Sequence, residues 1–157
     1  VRMRRGTIIC ETKHGFVCAN AGVDRSNVPK GYALLLPENP DLSARRIRKK
    51  VMELTGKDVA VIITDTFGRP WREGHVDFAI GVSGINCFRD YRGTKDMEGR
   101  TLKVTIMAHV DELAAAAELV MGKAKGTPVV VIKGYSYERG SGRIKDVIRR
   151  RCKDLFR

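Results

Sequence analysis

Residues 59–64 constrain the fold of this chain more than any other stretch, because they form an almost unbroken β-branched run. A short run of this kind is typical of a strand that is buried on both faces. A helical pattern precedes it, with Asn39 or Asp41 as the N-cap and Gly56 as the terminator. Another short apolar strand, residues 32–36, comes before that helix. The order strand, helix, strand predicts a mixed sheet with helical crossovers, and therefore an α+β (mixed α/β) fold.

Two further helices and several further strands are predicted from the same patterns. Asp111 and Glu112 open an Ala-rich helix that runs to about Met121, with its acidic residues in the turn that the helix dipole favours. A third, amphipathic helix is predicted from Ile144 to Phe156. The other predicted strands are residues 7–9, 16–19, 78–82, 102–107 and 129–132. We find no internal repeat and treat residues 1–157 as one region without an internal boundary.

Length and composition indicate a globular domain. With 157 residues and 43% hydrophobic content, the chain can bury a sizeable core. No apolar stretch approaches the roughly 20 residues that span a bilayer, and no signal-peptide segment precedes the first strand, so we expect a cytoplasmic protein. The cysteines lack the paired spacing of a zinc site and are predicted to be reduced thiols, namely Cys10, Cys18, Cys87 and Cys152.

The chain is strongly basic, with 30 Lys and Arg residues against 18 Asp and Glu and a formal net charge of +12. Its surface potential should attract anionic ligands, with phosphates as the first candidates. The excess is concentrated in residues 45–50 and 143–151, where charged and aliphatic residues alternate as they do on solvated helix faces. A nucleic-acid footprint is the alternative. Against it, aromatic residues make up only 6% of the chain and the polar loops are acidic as well as basic.

Three polar loops are flanked by apolar, strand-like segments: residues 20–27, 65–72 and 89–100. Asp65 closes the buried strand directly, and two arginines and a tryptophan follow it within seven residues. In an open sheet with helical connections, ligands collect at the carboxyl ends of strands, so these loops are predicted to carry the functional residues. The alternative is that the aspartates only cap turns and that Trp71 fills a gap in the core.

Together these loops resemble the γ-glutamyl ligases that elongate coenzyme F420, an 8-hydroxy-5-deazaflavin. In that family the stretches read close to Gly-Ile-Asp-x-Ser-Asn, Thr-Asp-Thr-x-Gly-Arg and Asp-Tyr-x-Gly-x-x-Asp-x-x-Gly-Arg. The corresponding residues here are 22–27, 64–69 and 90–100, and the resemblance extends from about Thr7 to the end of the chain. Three separate motifs in the same order make the resemblance specific.

The resemblance implies a GTP-dependent ligase that forms an amide bond. Such an enzyme adds L-glutamate in γ linkage to the deazaflavin coenzyme precursor through an acyl-phosphate intermediate. The implied metal cofactor is Mg²⁺ or Mn²⁺, with a monovalent cation as a further candidate. The implied assembly is a homodimer, and neither a membrane nor a nucleic acid is expected as a partner.

Asp24 and Asp65 are the predicted metal ligands, because each closes an apolar segment among residues that can supply further oxygen ligands. Oxygen-only ligation suits Mg²⁺ or Mn²⁺. The resemblance implies that Thr66 helps to hold a second ion and that Asn27 contacts the nucleotide. It also places a nucleotide-contacting segment after the second helix, and the Gly and Lys content of that segment suits a phosphate cradle. The segment comprises Met121, Gly122, Lys123, Ala124, Lys125, Gly126 and Thr127.

Lys123 departs from some members of the family, which place an acidic ligand of the second metal directly after the Met-Gly pair. Either a backbone oxygen takes that role in this chain, or the second metal binds more weakly. A plain loop that ends the preceding helix is the alternative interpretation of Lys123.

Four arginines are candidates for holding the anionic parts of the substrates, because a guanidinium group matches carboxylate and phosphate bidentately. They are Arg69, Arg72, Arg92 and Arg100. The alternative is that Asp90, Tyr91 and Asp96 pair with these arginines and only stabilise the loop. The histidines lack ligand spacing and are predicted to be structural or surface residues, namely His14, His75 and His109. No Ser or Cys lies in a recognisable nucleophile motif, so no covalent catalytic residue is predicted.

The chain begins at Val1 rather than at a methionine, and the resemblance implies a further segment of several tens of residues upstream. In the family that segment contains nucleotide-contacting residues. We therefore expect the chain as given to fold but to be a poor ligase by itself. The alternatives are a catalytically incomplete fragment that binds metal and nucleotide, and a binding module for a phosphate-rich ligand such as RNA.

Overall fold

The computed structural model of the protein describes residues 2–4 and 6–155. Its strands and α-helices, in chain order, are β1 (Arg2–Arg4), β2 (Thr7–Glu11), β3 (Val17–Ala19), α1 (Pro40–Thr55), β4 (Val61–Arg69), β5 (Arg72–Ser83), β6 (Arg89–Asp90), β7 (Ile106–Met107) and α2 (His109–Met121). Antiparallel pairing gives three sheets with the orders β1-β2-β3, β4-β5 and β6-β7. Helices combined with antiparallel sheets confirm the predicted α+β class. Helix α1 connects the first sheet to the second, rather than two strands of one sheet.

Capping residues place α1 where the sequence predicts it. The Asn39 side chain accepts a hydrogen bond from the Leu42 N–H at 2.9 Å, which makes Asn39 the N-cap. At the other end Gly56 adopts a φ of 66°, a conformation that favours glycine. Asp41, the other predicted N-cap, instead accepts a hydrogen bond from the Val82 N–H of β5 at 2.8 Å through its carboxylate. This bond fixes the start of α1 against the central hairpin.

Strand β4 continues past Asp65 to Arg69, so residues 65–72 are not the loop that the sequence predicts. The cause lies outside the local sequence: β5 runs back along β4 and supplies backbone partners, with Asp65 opposite Phe78 and Arg69 opposite Arg72. Trp71 lies in the tight turn between the strands with a φ of 65° and is 85% exposed. It therefore does not fill a gap in the core.

Both helices pack against β5, and this strand contributes Ala79, Ile80 and Val82 to the hydrophobic core. Ile80, Ile85 and Val110 are its largest fully buried side chains. Gly81 permits close contact with α1, because a Cβ atom at this position would lie 2.5 Å from the carbonyl carbon of Pro40. This packing fixes the β4–β5 hairpin relative to both helices.

The predicted strands outside the hairpin have mixed outcomes. Residues 7–9 and 16–19 correspond to β2 and β3, which pair as expected. Residues 32–36 form only an isolated bridge, between Leu34 and Asp24, and residues 102–107 contribute only β7. Residues 129–132 form no strand in the described structure. Val129 and Val131 remain 74% and 73% exposed, so these side chains do not pack against a neighbouring element within the described residues.

The predicted C-terminal helix is present only as two 3₁₀ turns, Ile144–Asp146 and Arg151–Lys153. The Ile144 N–H donates to the Asp41 carboxylate at 3.1 Å, and the Arg143 N–H donates to the Asp146 carboxylate at 3.0 Å. The Asp146 bond caps the first of these turns, and the Asp41 bond joins that turn to the start of α1. Phe156, the predicted end of the helix, lies outside the described residues.

The four cysteines are free, which agrees with the prediction of reduced thiols, although Cys10 and Cys18 lie opposite each other on β2 and β3. Burial raises the pKa of Cys18, and it raises the pKa of Cys87 to about 12. Across residues 2–4 and 6–155, no helix is both long and apolar enough to cross a membrane.

Candidate functional site

A cavity of about 1260 Å³ lies between the first sheet, the β4–β5 hairpin and the segment after α2. Its wall contains Asp24, Asp65, Thr66 and Asn27, all of which the sequence marks as candidates. Two of the three predicted polar segments therefore meet at one site, even though β4 does not end there. The third segment, residues 89–100, contributes no side chain to this wall.

The segment after α2 forms another part of the wall. Six of its seven candidate residues line the cavity: Met121, Gly122, Lys123, Ala124, Gly126 and Thr127. Lys125 does not line it. Gly122 and Gly126 have φ values of 57° and 65°, which favour glycine and keep the backbone accessible. The Asn27 amide donates to the Lys123 carbonyl at 3.2 Å and so links this segment to the first polar loop.

Asp24 is exposed on the wall, where Ser26 fixes its orientation. The Ser26 hydroxyl donates to Oδ2, and the Ser26 N–H donates to Oδ1 at 2.8 Å. These bonds, the hydroxyl bond first, hold the pKa of Asp24 below its usual value, so the side chain is an anion at neutral pH. An oriented, exposed carboxylate of this kind is suited to a hard divalent cation.

Asp65 is half-buried on β4, close to two other carboxylates. Burial raises the pKa of Asp65, and the charges of Asp77 and Asp24 raise it further. A hydrogen bond from the Thr66 N–H, at 2.8 Å, opposes this shift but does not cancel it. A cation at this position would offset both the repulsion and the cost of burying the charge.

Asp77 is the functional candidate that sequence reasoning missed. It lies on β5 opposite Thr66 and is only 4% exposed. Its carboxylate accepts hydrogen bonds from the hydroxyls of Thr64 at 2.9 Å and Thr66 at 2.6 Å, and from the Lys123 ammonium at 2.9 Å. Burial by itself would raise the pKa of Asp77, but these three bonds outweigh it and lower the pKa. The available signal lay just before the predicted strand 78–82, where Asp77 stands between the strand-forming residues Val76 and Phe78 although Asp is depleted in strands.

Lys123 reaches from the segment after α2 to the hairpin. Its Nζ atom donates to the Thr66 hydroxyl and to Asp77 Oδ1, and it lies 3.7 Å from Glu118 Oε1. These side-chain contacts go beyond the alternative interpretation, in which Lys123 lies in a plain loop that ends the helix. The Lys123 carbonyl accepts a hydrogen bond from Asn27, so both the backbone and the side chain of Lys123 contact other residues of the cavity wall.

The fit of the site to a divalent metal depends on two carboxylates. In the described part of the chain, no group of three or more His, Cys, Asp or Glu side chains is arranged to hold a metal ion. Mg²⁺ keeps several waters and binds through one or two carboxylates plus substrate phosphates, so Asp24 and Asp65 suit it, and Mn²⁺ likewise. The Thr66 hydroxyl, which the resemblance assigns to a second ion, is engaged by Asp77 and Lys123.

Arg69 is the candidate arginine that the structure places on the cavity wall. One guanidinium nitrogen donates to the Glu73 carbonyl at 3.0 Å. Its Nε atom is buried and has no hydrogen-bond partner within the described structure. The Glu73 contact fixes one end of the guanidinium group in the hairpin turn.

The other candidate arginines, Arg72, Arg92 and Arg100, do not line the cavity. Arg92 pairs with Asp90, with 2.9 Å between Nε and Oδ1, and this bond lowers the pKa of Asp90 to about 2. The backbone N–H of Arg100 donates to Asp96 at 2.8 Å. These contacts correspond to the loop-stabilising alternative for Asp90 and Asp96. Tyr91 lies in the same loop, with the Arg89 guanidinium 5.6 Å from its ring centroid.

Two of the three histidines have structural contacts. His14 lies 3.1 Å from the Glu38 carbonyl, and His109 is buried between the Tyr135 hydroxyl and the Asn86 carbonyl. His75 lies on the cavity wall, opposite Gly68 in the hairpin.

Comparison with known proteins identifies close relatives. A family profile described as F420-0:gamma-glutamyl ligase matches residues 1–134. The coenzyme F420:L-glutamate ligase of Methanocaldococcus jannaschii is 54% identical over 158 residues, covering 100% of this chain and 63% of the relative. The proteins of the same name from Methanopyrus kandleri and Methanothermobacter thermautotrophicus are 52% and 50% identical, and this chain covers 64% of each. The chain thus spans just under two thirds of the length of these relatives.

Proposed function

This chain belongs to the F420-0:gamma-glutamyl ligase family, and on that premise we propose that it forms the GTP-dependent site at which L-glutamate is joined to the coenzyme F420 precursor. The bond formed is an amide in γ linkage. The relatives are named for joining coenzyme F420 and L-glutamate, and the dependence on GTP and metal comes from the motif resemblance. We also propose that the protein acts in the cytoplasm as a homodimer and has no nucleic-acid partner.

Amide formation requires the precursor carboxylate to be activated, because a carboxylate is a poor acyl donor. Transfer of the γ-phosphoryl group of GTP to a carboxylate oxygen gives an acyl phosphate and GDP. The neutral amine of glutamate then attacks the acyl carbon, the bond to the phosphate oxygen breaks, and phosphate leaves while the amine loses a proton. No protein nucleophile is needed. The protein contributes by positioning the substrates and neutralising charge.

The cavity supplies groups suited to these tasks. The glycine-containing segment 121–127 offers backbone to the nucleotide phosphates, and Asn27 fixes this segment against the loop that carries Asp24. Asp24 and Asp65 would hold Mg²⁺ or Mn²⁺, which bridges phosphate oxygens and offsets their charge when bound. Arg69 lies on the same wall, where its guanidinium group would bind an anionic substrate group.

The observation that carries this proposal is the convergence in one cavity of Asp24, Asp65 and the segment after α2. These parts are far apart in sequence, and turn capping alone would not require them to meet. A backbone cradle beside two carboxylates is the arrangement that a metal–nucleotide complex needs.

The test is glutamate addition to the coenzyme precursor, followed by the mass increase of one glutamyl residue. Because the chain as given is expected to be a poor ligase, we expect slow product formation with GTP and Mg²⁺ or Mn²⁺, and none after the metal is chelated or GTP is omitted. The exposed surface variant Glu53→Gln serves as the control, because Glu53 pairs with Lys49 and Lys50 on α1 and does not line the cavity. Product formation without any nucleoside triphosphate would contradict the phosphoryl-transfer step.

A further inference from the structure

The ammonium group of Lys123 contacts Asp77, a buried carboxylate on the cavity wall. Its Nζ atom contacts two oxygens that could otherwise serve a metal ion, the Thr66 hydroxyl and Asp77 Oδ1. The Asp77 side chain is only 5% exposed, whereas that of Lys123 is 58% exposed. The lysine therefore reaches from the surface to a buried anion.

The hydrogen bonds around Asp77 form a closed set. Thr66 uses its one hydroxyl hydrogen on Asp77 Oδ1, and Thr64 uses its own on Oδ2. The Lys123 ammonium donates a second hydrogen bond to Asp77 Oδ1 and another to the Thr66 hydroxyl oxygen. A metal ion that bound these oxygens would have to displace the ammonium and rotate Thr66.

Asp24 and Asp65 differ from Asp77 in their ion pairing. Within the described residues, the ion pairs of the cavity wall join Lys123 to Asp77 and to neither of these two carboxylates. The charge of Lys123 adds to the lowered pKa of Asp24 and opposes the raised pKa of Asp65, but it does so without direct contact. The wall is thus divided into one carboxylate in direct contact with a protein cation and two carboxylates without such a contact.

We propose that Lys123 is a positioning residue that replaces a second metal ion, so that the cavity takes one divalent cation, at Asp24 and Asp65. The ammonium neutralises Asp77 permanently. The same contact draws the segment after α2 onto the hairpin, so the nucleotide cradle is set by a side chain rather than by a bound ion. This inference rests on the proposed function for its first metal, and on the Lys123 contacts alone for the exclusion of the second.

The test is the number of Mn²⁺ ions bound per chain, measured by equilibrium dialysis with GDP present in both chambers. We expect one ion for the parent protein and two for Lys123→Met, because the methionine leaves Asp77 without its counter-ion and the Thr66 hydroxyl oxygen without its donor. The exposed variant Lys133→Met makes the same change of charge away from the cavity wall and should bind one ion. Lys123→Arg, which keeps the positive charge, should also bind one.

If Lys123→Met fails to fold, the double variant Lys123→Met/Asp77→Asn removes both charges and should bind one ion. The parent can be tested without any variant, because two ions held side by side would show Mn²⁺–Mn²⁺ coupling in the electron paramagnetic resonance spectrum. Such coupling, or equal ion counts in parent and Lys123→Met, would overturn the inference. Zero ions in the parent would instead overturn the proposed metal pair, and the difference between parent and Lys123→Met would still report on Lys123.

Discussion

Asp77 and Asp65 are neighbours in the cavity with opposite electrostatic surroundings. Asp77 is nearly inaccessible, yet three donors hold its pKa below the usual value. Asp65 is more accessible, yet its pKa is raised by burial and by the two nearby carboxylates. A fully satisfied buried charge stabilises a structure, whereas an incompletely satisfied one at a cavity wall is typical of a binding group. At the residue scale, these two surroundings separate the carboxylate that the protein itself neutralises, Asp77, from the one that is suited to bind a ligand, Asp65.

Replacing Asp65 with asparagine should therefore abolish metal-dependent nucleotide binding without unfolding the protein. The change removes a charge that burial and repulsion already disfavour, so the melting temperature without metal should not fall. Affinity for GTP in the presence of Mn²⁺ should drop by at least about tenfold, as is common when a metal ligand or its support is lost. Calorimetry with GTP and Mn²⁺ measures this. Unchanged affinity would show that Asp65 is not a metal ligand, and an unfolded variant would favour a purely structural role.

Asp111 provides a test of buried charge outside the cavity. Its Oδ1 atom accepts a hydrogen bond from the Ala79 N–H at 3.0 Å, but burial raises its pKa above the usual 3.8. A raised pKa in the folded state disfavours folding above that pKa, and the penalty vanishes below the pKa of the unfolded chain. Asp111→Asn keeps an oxygen acceptor without the charge. We expect a higher melting temperature than the parent at about pH 7, and little difference at about pH 3.

Thermal unfolding at the two pH values checks this expectation. A lower melting temperature for Asp111→Asn at neutral pH would mean that attraction between the carboxylate and the N-terminus of α2 exceeds the cost of burial. Glu112→Gln, in the same turn of α2 but partnered by no β5 backbone group in the described structure, is the matched control.

At the scale of elements, the helices could be predicted because their signals are local. Asn39 and Gly56 mark the ends of α1 within a few residues, and both act as the sequence suggests. The end of β4 could not be found this way, because its continuation past Asp65 depends on backbone partners from β5. The position of the C-terminal segment also depends on a distant partner, because Asp41, about a hundred residues away, accepts the hydrogen bond of the Ile144 N–H. Local sequence patterns do not predict the bounds of elements that depend on hydrogen bonds to distant residues.

The contact between α1 and β5 gives a prediction at this scale. In Gly81→Ala the new Cβ would lie 2.5 Å from a backbone atom of Pro40, which cannot move without shifting α1. We expect a loss of about 1–3 kcal/mol in the free energy of unfolding, as for other overpacked cores. Denaturant unfolding measures the change. Gly68→Ala is the control, because its Cβ would meet only the His75 ring, at 3.9 Å, and equal stability of the two variants would contradict close packing at Gly81.

At the scale of the whole molecule, the cavity is assembled from segments that are distant in sequence. The motif resemblance supplied Asp24, Asp65 and the segment after α2, and the structure brings them together. It could not supply the link between Lys123 and Asp77, which are 46 positions apart and belong to different elements. The charge pattern of the sequence did not indicate which basic residues form ion pairs within the protein. Arg48 and Arg139 both pair with Asp58, at 2.7 and 2.6 Å, so part of the basic excess is used within the protein.

The net charge of +12 leads to the last prediction, which concerns nucleic acid. Basic side chains spread over helix and loop surfaces attract phosphates without reading sequence, so any binding of DNA or RNA should be weak, non-specific and steeply dependent on salt. We expect binding of duplex and single-stranded oligonucleotides to weaken strongly between about 50 and 200 mM salt, with no preference for sequence. Fluorescence anisotropy across this range measures it, and added GTP with Mg²⁺ should leave the salt dependence unchanged, because the basic segment 45–50 lies on α1 and outside the cavity wall. Tight, sequence-selective binding at physiological salt would show that the basic surface is itself a recognition site, and that the cavity does not account for the function alone.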